Sequence, residues 1–291
     1  MSAAAALIRT VRPHQWVKNL FVAAPLVFAR HLTDMPYLLR SAAAVLAFCA
    51  LSGAVYAFND VRDVEADRAH PTKRSRPIAA GLLSERAAMT ASVTLAVGGL
   101  ATCFLLSWQA AALAAGYLVQ NIAYSVKLKH VAFVDVVLIA SGFLLRVLAG
   151  AAAIGVPASN WLLACTTLLA MFLGFGKRAH ELAHAGERAG ETRAVLRAYR
   201  PSVLRAALFA TAASTFVAYV LYTRAEHTVR FFGTTRMLWT APFAAFALLR
   251  FYALVQMPKD ESPTDLLLKD APFMLNALTW GAAITLIIYF R

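Results

Sequence analysis

The sequence predicts an all-α, polytopic membrane protein, a single bundle of about nine transmembrane helices over residues 1–291. Three observations predict it. Hydrophobic residues make up 60% of the chain and charged residues only 15%, against the roughly 25% charged of soluble globular domains. Mean hydropathy is +0.62 over the whole chain. Apolar runs of the ~17–25 residues needed to cross a bilayer recur from end to end.

The spans read in order as Trp16–His31, Leu38–Phe58, Arg86–Leu106, Ala110–Val126, Val134–Ile154, Asn160–Gly176, Val203–Tyr222, Met237–Val255 and Pro272–Phe290. Lys18, Asn19 and Pro25 interrupt the first. The short connections Ser107–Gln109 and Gly155–Ser159 imply antiparallel neighbours. The opening stretch Met1–Gln15 is too short and too interrupted for a secretory apolar region. Arg9 and Arg12, the basic run Arg62–Arg76, Lys127 and Lys129, Lys177 to Arg200, and Lys259 and Lys269 fall on one side of these spans. The opposite loops hold mainly Arg30, Arg224, Arg230 and Arg236. Positively charged loops stay in the cytoplasm, which places the amino terminus there.

Cys49, Cys103 and Cys165 stand singly in apolar runs, a pattern of packed thiols and not of a disulfide framework. Net charge is +13. No nucleic-acid-binding motif surrounds the bases, so anionic headgroups of membrane lipids and phosphorylated substrates are the partners expected, and no nucleic acid. A homo-oligomer is compatible with such a chain.

The densest charge lies in Asn59–Gly81, "NDVRDVEADRAHPTKRSRPIAAG". Asp60, Asp63 and Asp67 are spaced i, i+3, i+7, which on one helix puts them within roughly 60° of each other. Carboxylates crowded this way repel unless a cation lies among them, and Mg²⁺ favours a few carboxylates plus phosphate oxygens over a closed protein cage. The rival reading is a solvated helix end. The bases Lys73, Arg74 and Arg76 directly behind favour the first, since they can hold a phosphate while the acids hold its metal.

"NDVRDVEAD" followed by "RSRPIAAG" resembles the first aspartate-rich motif of the UbiA-type intramembrane prenyltransferase superfamily, and the expected topology is similar along essentially the whole chain. The resemblance implies that Asp60, Asp63 and Asp67, with Asn59 in support, bind a diphosphate through Mg²⁺, or Mn²⁺ in its place. Members acting on aromatic acceptors carry a second acidic motif after the sixth span. Here "GFGKRAHELAH" puts Lys177 and Arg178 in that place, with Glu181 as its one carboxylate. A basic pair holds a phosphate directly and cannot share a second Mg²⁺.

"RPHQWVKN", "YSVKLKH", "DVVLIASGFLLRVLAGA" and "GFGKRAHEL" are most similar to the bacterial branch of that superfamily that serves cell-wall arabinan synthesis. Its members move 5-phosphoribose from phosphoribosyl diphosphate to a polyprenyl phosphate and release diphosphate. The resemblance implies a bacterial inner-membrane enzyme with a cytoplasmic active site. Lys73, Arg74 and Arg76 are then candidates for the ribose 5-phosphate or the diphosphate. Lys127, Lys129, Lys177 and Arg178 are candidates for the lipid phosphate, and Lys18 and Asn19 for either substrate. An anionic acceptor needs no general base, so catalysis reduces to orientation and leaving-group stabilisation. The alternatives are an aromatic prenyltransferase and, from another class, a lipid or phosphosugar transporter.

Asp135 and Arg146 are eleven residues apart on one expected helix, and eleven residues return nearly to the same face about 16 Å deeper. An Arg at that depth costs at least ~2.5–3.5 kcal/mol and faces the bundle interior. It either lines a substrate cavity or bonds between helices. Asp135, at the membrane surface, is a site candidate. His180–His184 spells H-E-x-x-H, the zinc-protease pattern, but no third ligand follows at the required spacing. The bland reading is a charged helix end.

Overall fold

The computed structural model describes residues 2–126, 131, 133–185, 199–257 and 263–290, and among them it contains helices and no strand. Among the described residues, seven helical segments are long and apolar enough to cross a membrane. They are α3 (Met35–Arg62), α5 (Glu85–Leu106), α7 (Val134–Ile154), α8 (Asn160–Ala185), α9 (Pro201–Arg224), α11 (Ala241–Val255) with its leading 3₁₀ turn Arg236–Thr240, and α13 (Ala271–Tyr289). The protein is a multi-pass membrane protein.

The two remaining expected spans take other forms. The fourth is a helix, α6 (Trp108–Val126), which falls outside the seven; Gln109, Gln120 and Asn121 interrupt its apolar run. The first is not one α-helix. A short amphipathic α1 (Ala3–Val11) precedes a 3₁₀ run Pro13–Ala23 and the five-residue α2 (Ala24–Phe28). A 3₁₀ helix rises ~2.0 Å per residue against ~1.5 Å in an α-helix, so these sixteen residues still cover ~30 Å, the hydrocarbon thickness.

The chain forms two compact units. The first comprises Met1–Val126 and Leu145–Ala158. Its core is α3 against α5, with Phe48, Leu51 and Tyr117 buried together with small residues of α6 and α7. Gly150 of α7 permits the closest approach: a Cβ there would lie 1.9 Å from the Val22 carbonyl oxygen. Arg40 of α3 donates to the Ala153 carbonyl at 2.9 Å and to the Leu106 carbonyl at 2.5 Å, so one guanidinium satisfies carbonyls at the ends of α7 and α5. Beyond α3 lie α4 (Val64–Ala69) and a 3₁₀ turn, Lys73–Ser75.

The second unit comprises Lys127–Leu144 and Ser159–Arg291. Its α8 and α9 form the most extensive pair, and Phe172 meets Phe251 of α11 edge to face at 5.0 Å. The unit also holds the short helices α10 (Glu226–Phe232) and α12 (Pro263–Lys269). Arg250, which sequence alone leaves to snorkel, instead donates two bonds, of 3.0 and 2.7 Å, to Asp270. Asp270 also caps α13 by accepting from the Phe273 N–H at 2.9 Å. Cys49 and Cys103 are buried, Cys165 is partly so, and all three are free thiols.

Candidate functional site

The acidic motif is not one helix face. Helix α3 stops at Arg62, Asp63 takes a non-helical conformation as its cap, and α4 starts afresh at Val64. What gathers the acids is a pair of arginines. Arg76 donates to Asp60 Oδ1 at 3.1 Å and to Asp67 Oδ2 at 2.7 Å. Arg12 donates to the same Asp60 oxygen at 2.5 Å, with its guanidinium carbon 5.0 Å from the centre of the Tyr56 ring. Asp60 and Asp67 are each 3% exposed, while Arg12 and Arg76 keep about a quarter of their side-chain surface open. Buried carboxylates beside partly open cations can meet either charge: anions on the guanidiniums, cations on the acids.

Arg12 pays in backbone conformation for its position. Its φ of 53° is left-handed, uncommon for a side chain with a Cβ, and it joins α1 to the 3₁₀ run. Sequence reasoning drew Lys18 and Asn19 from "RPHQWVKN" and counted Arg12 only among the basic residues of the cytoplasmic side. The signal was present, since Arg12 begins that stretch.

Among the described residues, no three His, Cys, Asp or Glu side chains already form a metal cage. The donor set nevertheless fits Mg²⁺ arriving with phosphate oxygens. Asp60 and Asp67 supply hard carboxylate oxygens, Asp63 lies between them in sequence, and the buried Asn59 Oδ1 has no hydrogen-bond partner. Lys73 and Arg74 are exposed on the adjoining 3₁₀ turn. His70 Nδ1 accepts from the Thr72 and Lys73 N–H groups at 3.3 and 3.4 Å and so steadies that turn.

Asn19 and Arg146 come together inside the first unit. Asn19 is fully buried, and its Oδ1 accepts from Arg146 Nε at 2.8 Å and from Ser52 Oγ at 3.2 Å. Arg146 also donates to Tyr117 OH at 2.9 Å and lies over that ring at 4.6 Å. Of the two roles open to a deep arginine, the structure gives it interhelical bonding: it ties the 3₁₀ run to α3 and α6. Lys18 reaches Gln15 Oε1 at 2.5 Å.

Asp135, Arg178 and Tyr199 form a second buried cluster, in the second unit. Asp135 and Arg178 are both 0% exposed, with Arg178 Nε 2.5 Å from Asp135 Oδ2. Tyr199 OH donates to Asp135 Oδ1 at 2.7 Å and accepts from the Phe133 N–H at 2.7 Å. Burial first, then the bond to Asp135, raises the Tyr199 phenol above its ordinary range, so it stays a donor. Arg178 also pairs with Glu181. Sequence reasoning gave Arg178 as a candidate for the lipid phosphate and missed Tyr199. In this structure Arg178 is sealed off and held by acids, while its neighbour Lys177 is only half-buried. In the H-E-x-x-H stretch, Glu181 is engaged with Arg178 and His180 Nδ1 lies 3.1 Å from the Val255 carbonyl. Lys127 and Lys129 lie outside the described residues.

The UbiA prenyltransferase family matches residues 20–278. The chain belongs to that family. It is 35% identical over 294 residues to the decaprenyl-phosphate phosphoribosyltransferase of Mycolicibacterium smegmatis, covering 98% of this chain and 92% of the relative. Identity to the protein of the same name in Mycobacterium tuberculosis is 37%, with 96% and 93% covered. In fold, the chain is similar to a UbiA homolog from Archaeoglobus fulgidus solved with DMAPP and Mg²⁺, with a TM-score of 0.72, 17% identity, and 98% and 99% of the two chains covered.

Proposed function

We propose that the chain transfers 5-phosphoribose from phosphoribosyl diphosphate to decaprenyl phosphate, or a polyprenyl phosphate like it, with release of diphosphate. The observation that carries the choice of substrates is full-length similarity to relatives named for that transfer. The site chemistry agrees with it. An oxygen of the acceptor phosphate bonds to C1 of the ribose as the C1–O bond to diphosphate breaks, and the electron pair leaves with the diphosphate. The attacking oxygen is already anionic, so the step needs no general base.

Asp60, Asp63 and Asp67, with Asn59, would hold Mg²⁺, which when bound neutralises charge on the leaving diphosphate. Arg76, bridging Asp60 and Asp67, stands where it stabilises the same leaving group. Lys73 and Arg74, exposed on their turn, suit the 5-phosphate. Lys127, Lys129 and Lys177 are the remaining cations proposed for lipid phosphate. In this reading residues 1–291 act as one functional domain in a bacterial inner membrane, with the amino terminus and the active site cytoplasmic.

The test is transfer of label from radiolabelled phosphoribosyl diphosphate into decaprenyl phosphate by detergent-purified protein with Mg²⁺. A parallel reaction supplies labelled 4-hydroxybenzoate and a polyprenyl diphosphate. Label in the lipid supports the reading; a prenylated aromatic product overturns it.

A further inference from the structure

Within the first unit, a groove of about 700 Å³ runs between α1, α3 and α5. No charged side chain lines it. Of its polar groups, the Trp16 indole N–H is already bonded to the Val11 carbonyl at 3.2 Å. Small side chains open the space, with Ala50 and Gly53 on α3 and Ala87 and Ala91 on α5. The rim residues Leu46 and Ile8 are 67% and 59% exposed. Because α3 and α5 are membrane-spanning helices, that opening faces hydrocarbon and the groove takes an apolar chain.

Length and position narrow the occupant. Along α5 the lining runs from Ala87 to Leu95, ~12 Å of helix and so less than one leaflet of a ~30 Å hydrocarbon core. It starts two residues inside α5 from Glu85, at the end of the unit that carries the acidic motif. Val11 and Trp16 both line the groove, and Arg12, next to Val11, donates to Asp60. A chain lying in the groove therefore brings a terminal anion to Arg12, beside the carboxylates proposed to hold the donor. A phosphomonoester on a single prenyl chain meets these requirements. A two-chain phospholipid leaves its second chain and its headgroup without a place.

We propose that this groove seats the first isoprene units of the acceptor polyprenyl phosphate and that Arg12 is a further cation that receives its phosphate. The proposal rests on the transfer reaction proposed above. Arg12 then serves two partners in turn, Asp60 in the free protein and the acceptor phosphate during turnover. The left-handed backbone at Arg12 places its guanidinium where both are in reach.

Filling the groove tests it. In purified protein, Ala91→Phe and Ala50→Phe are expected to raise KM for decaprenyl phosphate roughly tenfold, as for one or two displaced methylene contacts. KM for phosphoribosyl diphosphate should stay within about twofold. Val97→Phe, on the exposed face of α5 outside the groove, controls for added bulk and should move neither. An unchanged decaprenyl phosphate KM in both groove variants overturns the proposal, and so does an equal loss for donor and acceptor, which marks a packing defect. Cross-linking with a photoreactive polyprenyl phosphate needs no turnover and so separates this idea from the reaction itself. Label in the α3 and α5 peptides around Ala50 and Ala91 supports the groove, and label confined to other peptides overturns it. Absence of transfer by the unaltered protein, with label still in those peptides, would refute the reaction and keep the groove.

Discussion

At the scale of residues, the candidate site is a charge-balancing problem solved with two arginines. Burying two carboxylates to 3% exposure is costly without partners, and Arg12 and Arg76 are the ionic partners the structure gives them. Asp67→Asn keeps the shape and removes one charge. It is expected to lower kcat/KM about 10²–10³-fold, the scale of a lost electrostatic contact to a leaving group. The required Mg²⁺ concentration should rise with it. Turnover measured across a Mg²⁺ titration checks both, and a variant with unaltered turnover and Mg²⁺ response removes Asp67 from the site. Tyr199 poses a different test, because its hydroxyl serves a backbone N–H and a carboxylate that has 0% exposure. Tyr199→Phe leaves both short of a partner, an expected destabilisation of ~1–3 kcal/mol. Thermal unfolding in detergent reads this directly, and an unshifted midpoint would mean the cluster does not depend on that hydroxyl.

At the scale of elements, what was legible depended on whether a feature is local. Long apolar helices such as α3, α5, α8 and α9 follow from run length alone, and their expected ends lie within a few residues of those observed except in α8. That helix continues past Gly176 to Ala185, because hydropathy marks where the bilayer ends and not where the helix does. The 3₁₀ run was visible only as an irregularity at Lys18, Asn19 and Pro25. Its geometry depends on partners remote in sequence, Arg146 bonding Asn19 and Gly150 lying under Val22. The acidic motif was legible as composition but not as shape, since the break at Asp63 and the bridge through Arg76 are tertiary facts. The ion pair of Arg178 was not legible for the same reason: its acid, Asp135, is 43 positions away in sequence and buried. Gly150→Ala tests the close approach. A Cβ 1.9 Å from a backbone oxygen forces the 3₁₀ run and α7 apart, an expected cost of ~1–3 kcal/mol or more. It should appear as a lower unfolding midpoint with reduced transfer. Unchanged stability would show that the run has room to move.

At the scale of the whole molecule, each of the two units contains its own polar brace, built from side chains bonded to one another. The first unit has Arg146 with Asn19, Ser52 and Tyr117, and the second has Asp135 with Arg178 and Tyr199. The acidic motif is itself neutralised by arginines, so folding does not wait on a cation as it does in a small zinc domain. Stability and activity should therefore separate on metal removal. Chelation with EDTA is expected to abolish transfer, because the diphosphate would leave without its counter-charge. The unfolding midpoint should move by less than about 2 °C, since a weakly held ion adds only RT ln(1 + [L]/Kd) to stability. Full recovery of turnover on returning Mg²⁺ completes the expectation. A large fall in the midpoint on chelation would place the cation in the architecture of the first unit, and Arg12 and Arg76 would then be too weak a substitute to hold Asp60 and Asp67 together.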